Sequence, residues 1–117
     1  GVAIETAPTV REPDGLAMSS RNRYLDPGQR RAATVLHRAL EAARRLVRDG
    51  ERDADRVRQV LQSTVESEES ARLEYAAVAD AETLEELGDI APGRAAVALL
   101  AARFGTTRLI DNVRLTE

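Results

Sequence analysis

An α+β domain is the fold class this sequence predicts: two helices packed on a small, mainly antiparallel three-stranded sheet, preceded by an extended loop. Three observations predict it. Apolar residues recur at spacings of three and four through the stretch that follows Asp26, the mark of a helix with one buried face. After Ser70 the period shortens to two, as in a strand. Beyond Gly93 a continuous apolar run, a Gly-Thr break and a second alternating segment give the spacing of a hairpin.

The first helix starts where Asp26 can act as N-cap, Pro27 suits the first helical position and Gln29 can reach back to complete a capping box. Its stripe is Ala32, Val35, Leu36, Ala39, Leu40, Ala43, Leu46 and Val47, and Gly50 is the expected C-cap. A second helix is expected from about Asp53, with Val57, Val60, Leu61 and Val65 on its buried side and the acidic Glu66, Glu68 and Glu69 at a solvated end. The two should pack as an antiparallel pair. In the strand after Ser70, Leu73, Tyr75 and Ala77 alternate with Arg72, Glu74 and Ala76, which predicts one wetter face. Asp80 can cap a short turn containing Leu84 and Leu87. The run from Ala95 to Ala102 fits a strand buried on both faces, although its alanines leave a helix open. Thr107 to Leu115 is the last strand.

A chain of 117 residues fits one modest domain. Hydrophobic residues at 43% and charged residues at 32% place it with soluble globular proteins rather than disordered chains. With aromatics at only 3%, the core must be built from Ala, Val and Leu. Cysteine is absent, which excludes a disulfide framework and a thiolate metal site. The net charge of −3 argues against a general nucleic-acid binder, and the arginines of the first helix (Arg30, Arg31, Arg38, Arg44, Arg45, Arg48) read as a solvated face. No apolar run approaches the length of a membrane span, so no membrane association is expected and a cytoplasmic location is the default. The opening residues Gly1 to Ala7 read as a strand fragment interrupted by Pro8, as though the chain began inside a larger fold.

Chemistry concentrates in residues 6–22, TAPTVREPDGLAMSSRN, where polar side chains and flexible backbone gather without a core to demand them. Ser19, Ser20 and Arg21 offer two hydroxyls, main-chain N–H groups and one fixed cation, a set that matches the acceptor oxygens of a polyphosphate. Gly15 allows close backbone approach. Arg11, Glu12 and Asp14 are better suited to fixing the loop's shape than to touching a ligand. His37 is the only histidine; lying within the first helix, it is given no catalytic role. No metal site is expected.

The string as a whole resembles the signature loop of pantothenate synthetases: Pro8-Thr-Val-Arg-Glu12, then Asp14-Gly-Leu-Ala17, then Met18-Ser-Ser-Arg-Asn22. Tyr24 and Leu25, Glu74-Tyr75, and Gly105-Thr-Thr-Arg-Leu-Ile-Asp-Asn112 agree with the family further along, with Glu74 standing where an Asp is frequent. The resemblance implies an ATP-dependent ligase that condenses pantoate with beta-alanine through a pantoyl adenylate, with magnesium accompanying the nucleotide. It implies that Met18, Ser19, Ser20 and Arg21 are ATP ligands, that Val10 gives main-chain hydrogen bonds near the adenine, and that Arg21 is the catalytic donor to the phosphates. The Met-Ser-Ser-Arg loop is similar to the Lys-Met-Ser-Lys-Ser loop of related nucleotidyltransferases, with Arg in place of a lysine that this chain lacks.

Family members also carry an amino-terminal domain with a His-x-Gly-His motif, which does not occur in this sequence. The chain is therefore expected to be a carboxy-terminal portion: residues 1–25 the end of the nucleotide-binding region, residues 26–117 a lid domain, inactive alone. Its partners in the intact enzyme would be ATP, pantoate, beta-alanine, the amino-terminal domain and a second copy in a homodimer. The alternative is a stand-alone dimerising interaction module without catalysis.

Overall fold

A computed structural model of the chain describes residues 25–91 and 93–116. Its elements run α1 (Pro27–Ala33), α2 (Val35–Arg48), α3 (Ala54–Glu66), β1 (Ala71–Asp80), β2 (Ala96–Phe104) and β3 (Thr107–Arg114). The α+β expectation holds: helices pack on a three-stranded antiparallel sheet of order β1-β2-β3. The division expected at residues 25 and 26 falls at the edge of the described residues.

The capping box forms as the residue types require. The Gln29 N–H donates to the Asp26 carboxylate at 2.7 Å, and the Asp26 N–H donates to Gln29 Oε1 at 3.1 Å. Two of the helix's orphan donors are thereby satisfied. The expected single first helix is instead broken at Thr34. The Thr34 hydroxyl donates to the Arg31 carbonyl at 2.6 Å and its N–H makes a tight three-residue bond to the same oxygen at 3.3 Å. This local competition for a carbonyl separates α1 from α2, and the helix resumes when the Arg38 N–H reaches the Thr34 carbonyl.

Along α2, Val35, Leu36, Ala39, Leu40, Ala43 and Val47 are buried on the expected stripe. The C-cap is Asp49 rather than Gly50, which sits one residue further on at φ +113 where a side chain would be strained. A short turn leads to Asp53, whose carboxylate accepts the Asp55 N–H at 3.0 Å and caps α3. Helix α3 buries Ala54, Val57, Leu61 and Val65 against α2 and β1. Each such Leu or Val is worth about 2 kcal/mol of transfer free energy when fully removed from water.

Strand β2 is central, and the both-faces burial expected of the alanine-rich run is what decides strand over helix there. Ala96, Ala98, Leu100, Ala102 and Phe104 face the helices in the main core. Gly105 and Thr106 then close a two-residue hairpin, with Gly105 at φ +66 in the first central position, the geometry of a II′ turn.

The expectation that Leu73, Tyr75 and Ala77 share a face is overturned. Leu73 pairs with Ala102 and Tyr75 with Ala101, so Glu74 is one extra residue in β1. This bulge reverses the phase of the strand. Leu73, Ala76 and Val78 pack toward the helices, whereas Tyr75 lies on the opposite face at 42% exposure. That outer face is apolar but only half covered: Ala79, Ala81 and Val97 form a small second cluster there, while Ile110 stands 56% exposed.

The segment between β1 and β2 is tied down by its backbone. Asp80 accepts the N–H groups of Glu82 and Thr83 at 2.8 and 3.0 Å, the expected cap of the turn. Further on, the Ile90 N–H donates to the Arg52 carbonyl at 2.8 Å, and Arg58 of α3 donates to the Leu87 carbonyl.

Candidate functional site

Val10, Met18, Ser19, Ser20 and Arg21 lie outside the described residues, as do Arg11, Glu12 and Asp14. The description begins at Leu25, just after that stretch of sequence. Leu25 packs against the main core, Asp26 caps α1, and the tip of the β2–β3 hairpin abuts Gln29. The approach at the tip is close: a Cβ added to Gly105 would lie 2.5 Å from Gln29 Nε2. The hairpin with the Gly105-to-Asn112 segment and the helix start that follows the loop thus meet at one end of the domain.

On the flanks of the hairpin, Arg103 and Arg108 are direct cross-strand partners. Like charges in that position repel. Glu74, carried on the bulge of β1, answers both: its carboxylate accepts from Arg103 Nε at 2.6 Å and from Arg108 Nε. One carboxylate therefore pins all three strands beside the hairpin. The hydrogen bond from Arg108, followed by that from Arg103, holds the Glu74 carboxyl below its ordinary value of 4.5, and the same contact raises Arg108. Sequence reasoning marked Glu74 only as a substitution for Asp. The signal it missed is that two arginines at hairpin spacing, facing each other across the turn, need an anion from the neighbouring strand.

At the other end of the sheet, hydrogen bonds from the Thr83 and Glu82 N–H groups, aided by Arg94 at 3.3 Å, hold Asp80 below its ordinary value of 3.8. Asp111 is buried at 5% exposure on β3 and accepts the Asn112 N–H at 2.8 Å. His37 lies on α2 with its Nδ1 buried and unpartnered. Among the described residues no group of three or more His, Cys, Asp or Glu side chains is placed to hold a metal. No helix among them is long and apolar enough to cross a membrane.

Helices on one face of an antiparallel sheet, with a hairpin tip brought against a helix N-cap at one end, define an α+β domain. A family model described as pantoate-beta-alanine ligase matches residues 1–114, and the chain belongs to that family. It is 57% identical over 115 residues to a pantothenate synthetase of Rubrobacter xylanophilus, covering 98% of this chain and 39% of that protein. A pantothenate synthetase of a Roseiflexus species is 52% identical over 111 residues, covering 95% of this chain and 39% of the relative. A crystal structure of pantothenate synthetase from Thermus thermophilus superposes with a TM-score of 0.86 at 40% identity, over 95% of this chain and 39% of that one. The chain thus spans 39% of the length of each of these relatives.

Proposed function

We propose that this chain is the carboxy-terminal part of an ATP-dependent ligase that joins pantoate to beta-alanine through a pantoyl adenylate, and that residues 18–21 are its contribution to the nucleotide site. The observation that carries the reading is the family match over residues 1–114, a span that includes the whole Met18-Ser-Ser-Arg21 motif. Met18, Ser19, Ser20 and Arg21 contact ATP, and Val10 supplies main-chain hydrogen bonds near the adenine. Arg21 is the catalytic group: its guanidinium meets charge that grows on the phosphate oxygens as pyrophosphate departs, which stabilises the transition state more than the ground state. Magnesium would accompany the nucleotide and offset the charge of its phosphates.

Residues 1–25 close the nucleotide-binding region and residues 26–117 act as a lid over an amino-terminal domain, excluding water from an acyl adenylate that would otherwise hydrolyse. The intact enzyme is a cytoplasmic homodimer in this reading. The capping box at Asp26 and the hairpin pinned by Glu74 support it by fixing the helix that directly follows the motif in sequence and the hairpin tip set against that helix.

The test is Arg21→Ala in the intact enzyme, followed by pyrophosphate release on adding ATP and pantoate. A fall of about a hundredfold or more in adenylate formation is expected, by analogy with loss of one preorganised donor; undiminished activity removes the assignment. The 117-residue chain alone should make no pantothenate and bind ATP only weakly, so micromolar affinity by calorimetric titration contradicts the lid reading. A second reading, a dimerising module without catalysis, draws on the half-covered outer face with Tyr75 and Ile110.

A further inference from the structure

At the end of α2 remote from the capping box, an open cavity of about 600 Å³ is lined by Arg44, Arg48, Arg52 and Arg114. Val47 and Leu115 supply its apolar lining, and both are nearly fully buried. Thr116 completes the wall. We propose that this cavity is a binding site for a small anion bearing two or more phosphoryl groups, separate from the Met18-to-Arg21 loop.

Charge is the first argument. Among the described residues, four guanidinium groups and no carboxylate line the cavity, in a chain whose net charge is −3. Arginine concentrated against the overall balance focuses positive potential into one concave wall. A volume of this size is that of a small-ligand site.

Orientation is the second. Arg52 donates through Nη1 to the Val47 carbonyl at 2.7 Å and to the Glu51 carbonyl at 2.9 Å. Arg114 donates through Nε to the Thr116 carbonyl at 2.9 Å. Bonds to neutral carbonyls fix a guanidinium without cancelling its charge, leaving its remaining N–H groups for a ligand. Arg48 forms no ion pair with the described residues. Arg44 meets Glu41 at 3.6 Å with both side chains 40% exposed, a contact weak enough to exchange for a phosphoryl oxygen.

A simpler account would make these arginines a cationic cap on the C-terminus of α2, where the helix dipole favours positive charge. That account covers Arg44, Arg48 and Arg52. It leaves Arg114 unexplained, because β3 delivers that residue to the same cavity from the far end of the chain. Convergence of one charge type from two elements is what a multidentate anion requires.

The test is an NMR titration of the ¹⁵N-labelled 117-residue chain with inorganic pyrophosphate, with orthophosphate at matched ionic strength as the second arm. Saturable shifts are expected at the amides of residues 44, 48, 52, 114 and 115, with orthophosphate at least about tenfold weaker, since fewer fork-to-phosphoryl bonds form. Arg48→Glu, at a side chain with no internal ion pair, should weaken pyrophosphate by about tenfold or more, while the reversed charge at the C-terminus of α2 lowers the unfolding temperature only slightly. Arg114→Gln should weaken it as well, whereas Arg21→Ala should leave these shifts intact. No saturable shift below about 10 mM, roughly tenfold weaker than a millimolar site, overturns the proposal. So does equal affinity for the two anions, or indifference to both Arg48→Glu and Arg114→Gln.

Discussion

Glu74 shows how one side chain can serve several strands. Its carboxylate sits between Arg103 and Arg108, two cations that the hairpin register forces face to face. Because the pair of guanidinium groups holds the Glu74 pKa below 4.5, the contribution of this carboxylate is fully present above about pH 4.5. It is lost as the pH falls through the lower folded-state value. Asp80 has the same sign, through the Thr83 and Glu82 N–H bonds and Arg94. Urea unfolding followed from pH 7 down to pH 3 should therefore show stability falling on the acid side. Glu74→Gln should lower stability at pH 7, where the arginines lose their counter-charge, and should flatten the acid decline. A variant that matches the parent at pH 7 would mean that the three-strand pin is idle, with solvent screening both arginines.

Among the elements, the hairpin and α1 are coupled through Gly105 and Gln29. Gly105→Ala would put a side chain at φ +66 and a Cβ 2.5 Å from Gln29 Nε2, while Gln29 Oε1 is engaged with the Asp26 N–H. The cost should be about 1–2 kcal/mol, from the left-handed backbone and from the displaced half of the capping box. Denaturant midpoints of Gly105→Ala, Gln29→Ala and the double variant check it: a non-additive double variant is expected, and strict additivity would mean that the two elements do not communicate. Local chemistry made much of this legible in advance. The Asp26-Pro27-Gln29 signature, the α2 stripe and the Gly-Thr turn each act within a few residues, so the sequence carries them openly. The break at Thr34 and the bulge at Glu74 were not legible. The first turns on a hydroxyl choosing a carbonyl three residues back, and the second on which residue of β2 each residue of β1 meets. The Met18-to-Arg21 motif was the plainest functional signal in the sequence, whereas the ion pairs of Glu74 with Arg103 and Arg108 come from residues brought together only by the sheet.

For the molecule as a whole, stability should be one-sided. The main core lies between the helices and the inner face of the sheet, and in a chain with 3% aromatic residues its single Phe, Phe104, is fully buried there. Removing it leaves a cavity in that core, so Phe104→Ala should cost about 3–5 kcal/mol. That is a large share of the roughly 5–15 kcal/mol available to a domain. Ile110, 56% exposed on the outer face, should accept a lysine within about 0.5 kcal/mol if that face meets water in the isolated chain. Thermal unfolding of both variants at two protein concentrations makes the comparison. A large loss for Phe104→Ala with little change for Ile110→Lys is expected at either concentration. If Ile110→Lys instead proved costly, and more so in the concentrated sample, the outer face would be covered by a second copy in solution, and the dimerising module would displace the lid as the better account of the isolated chain.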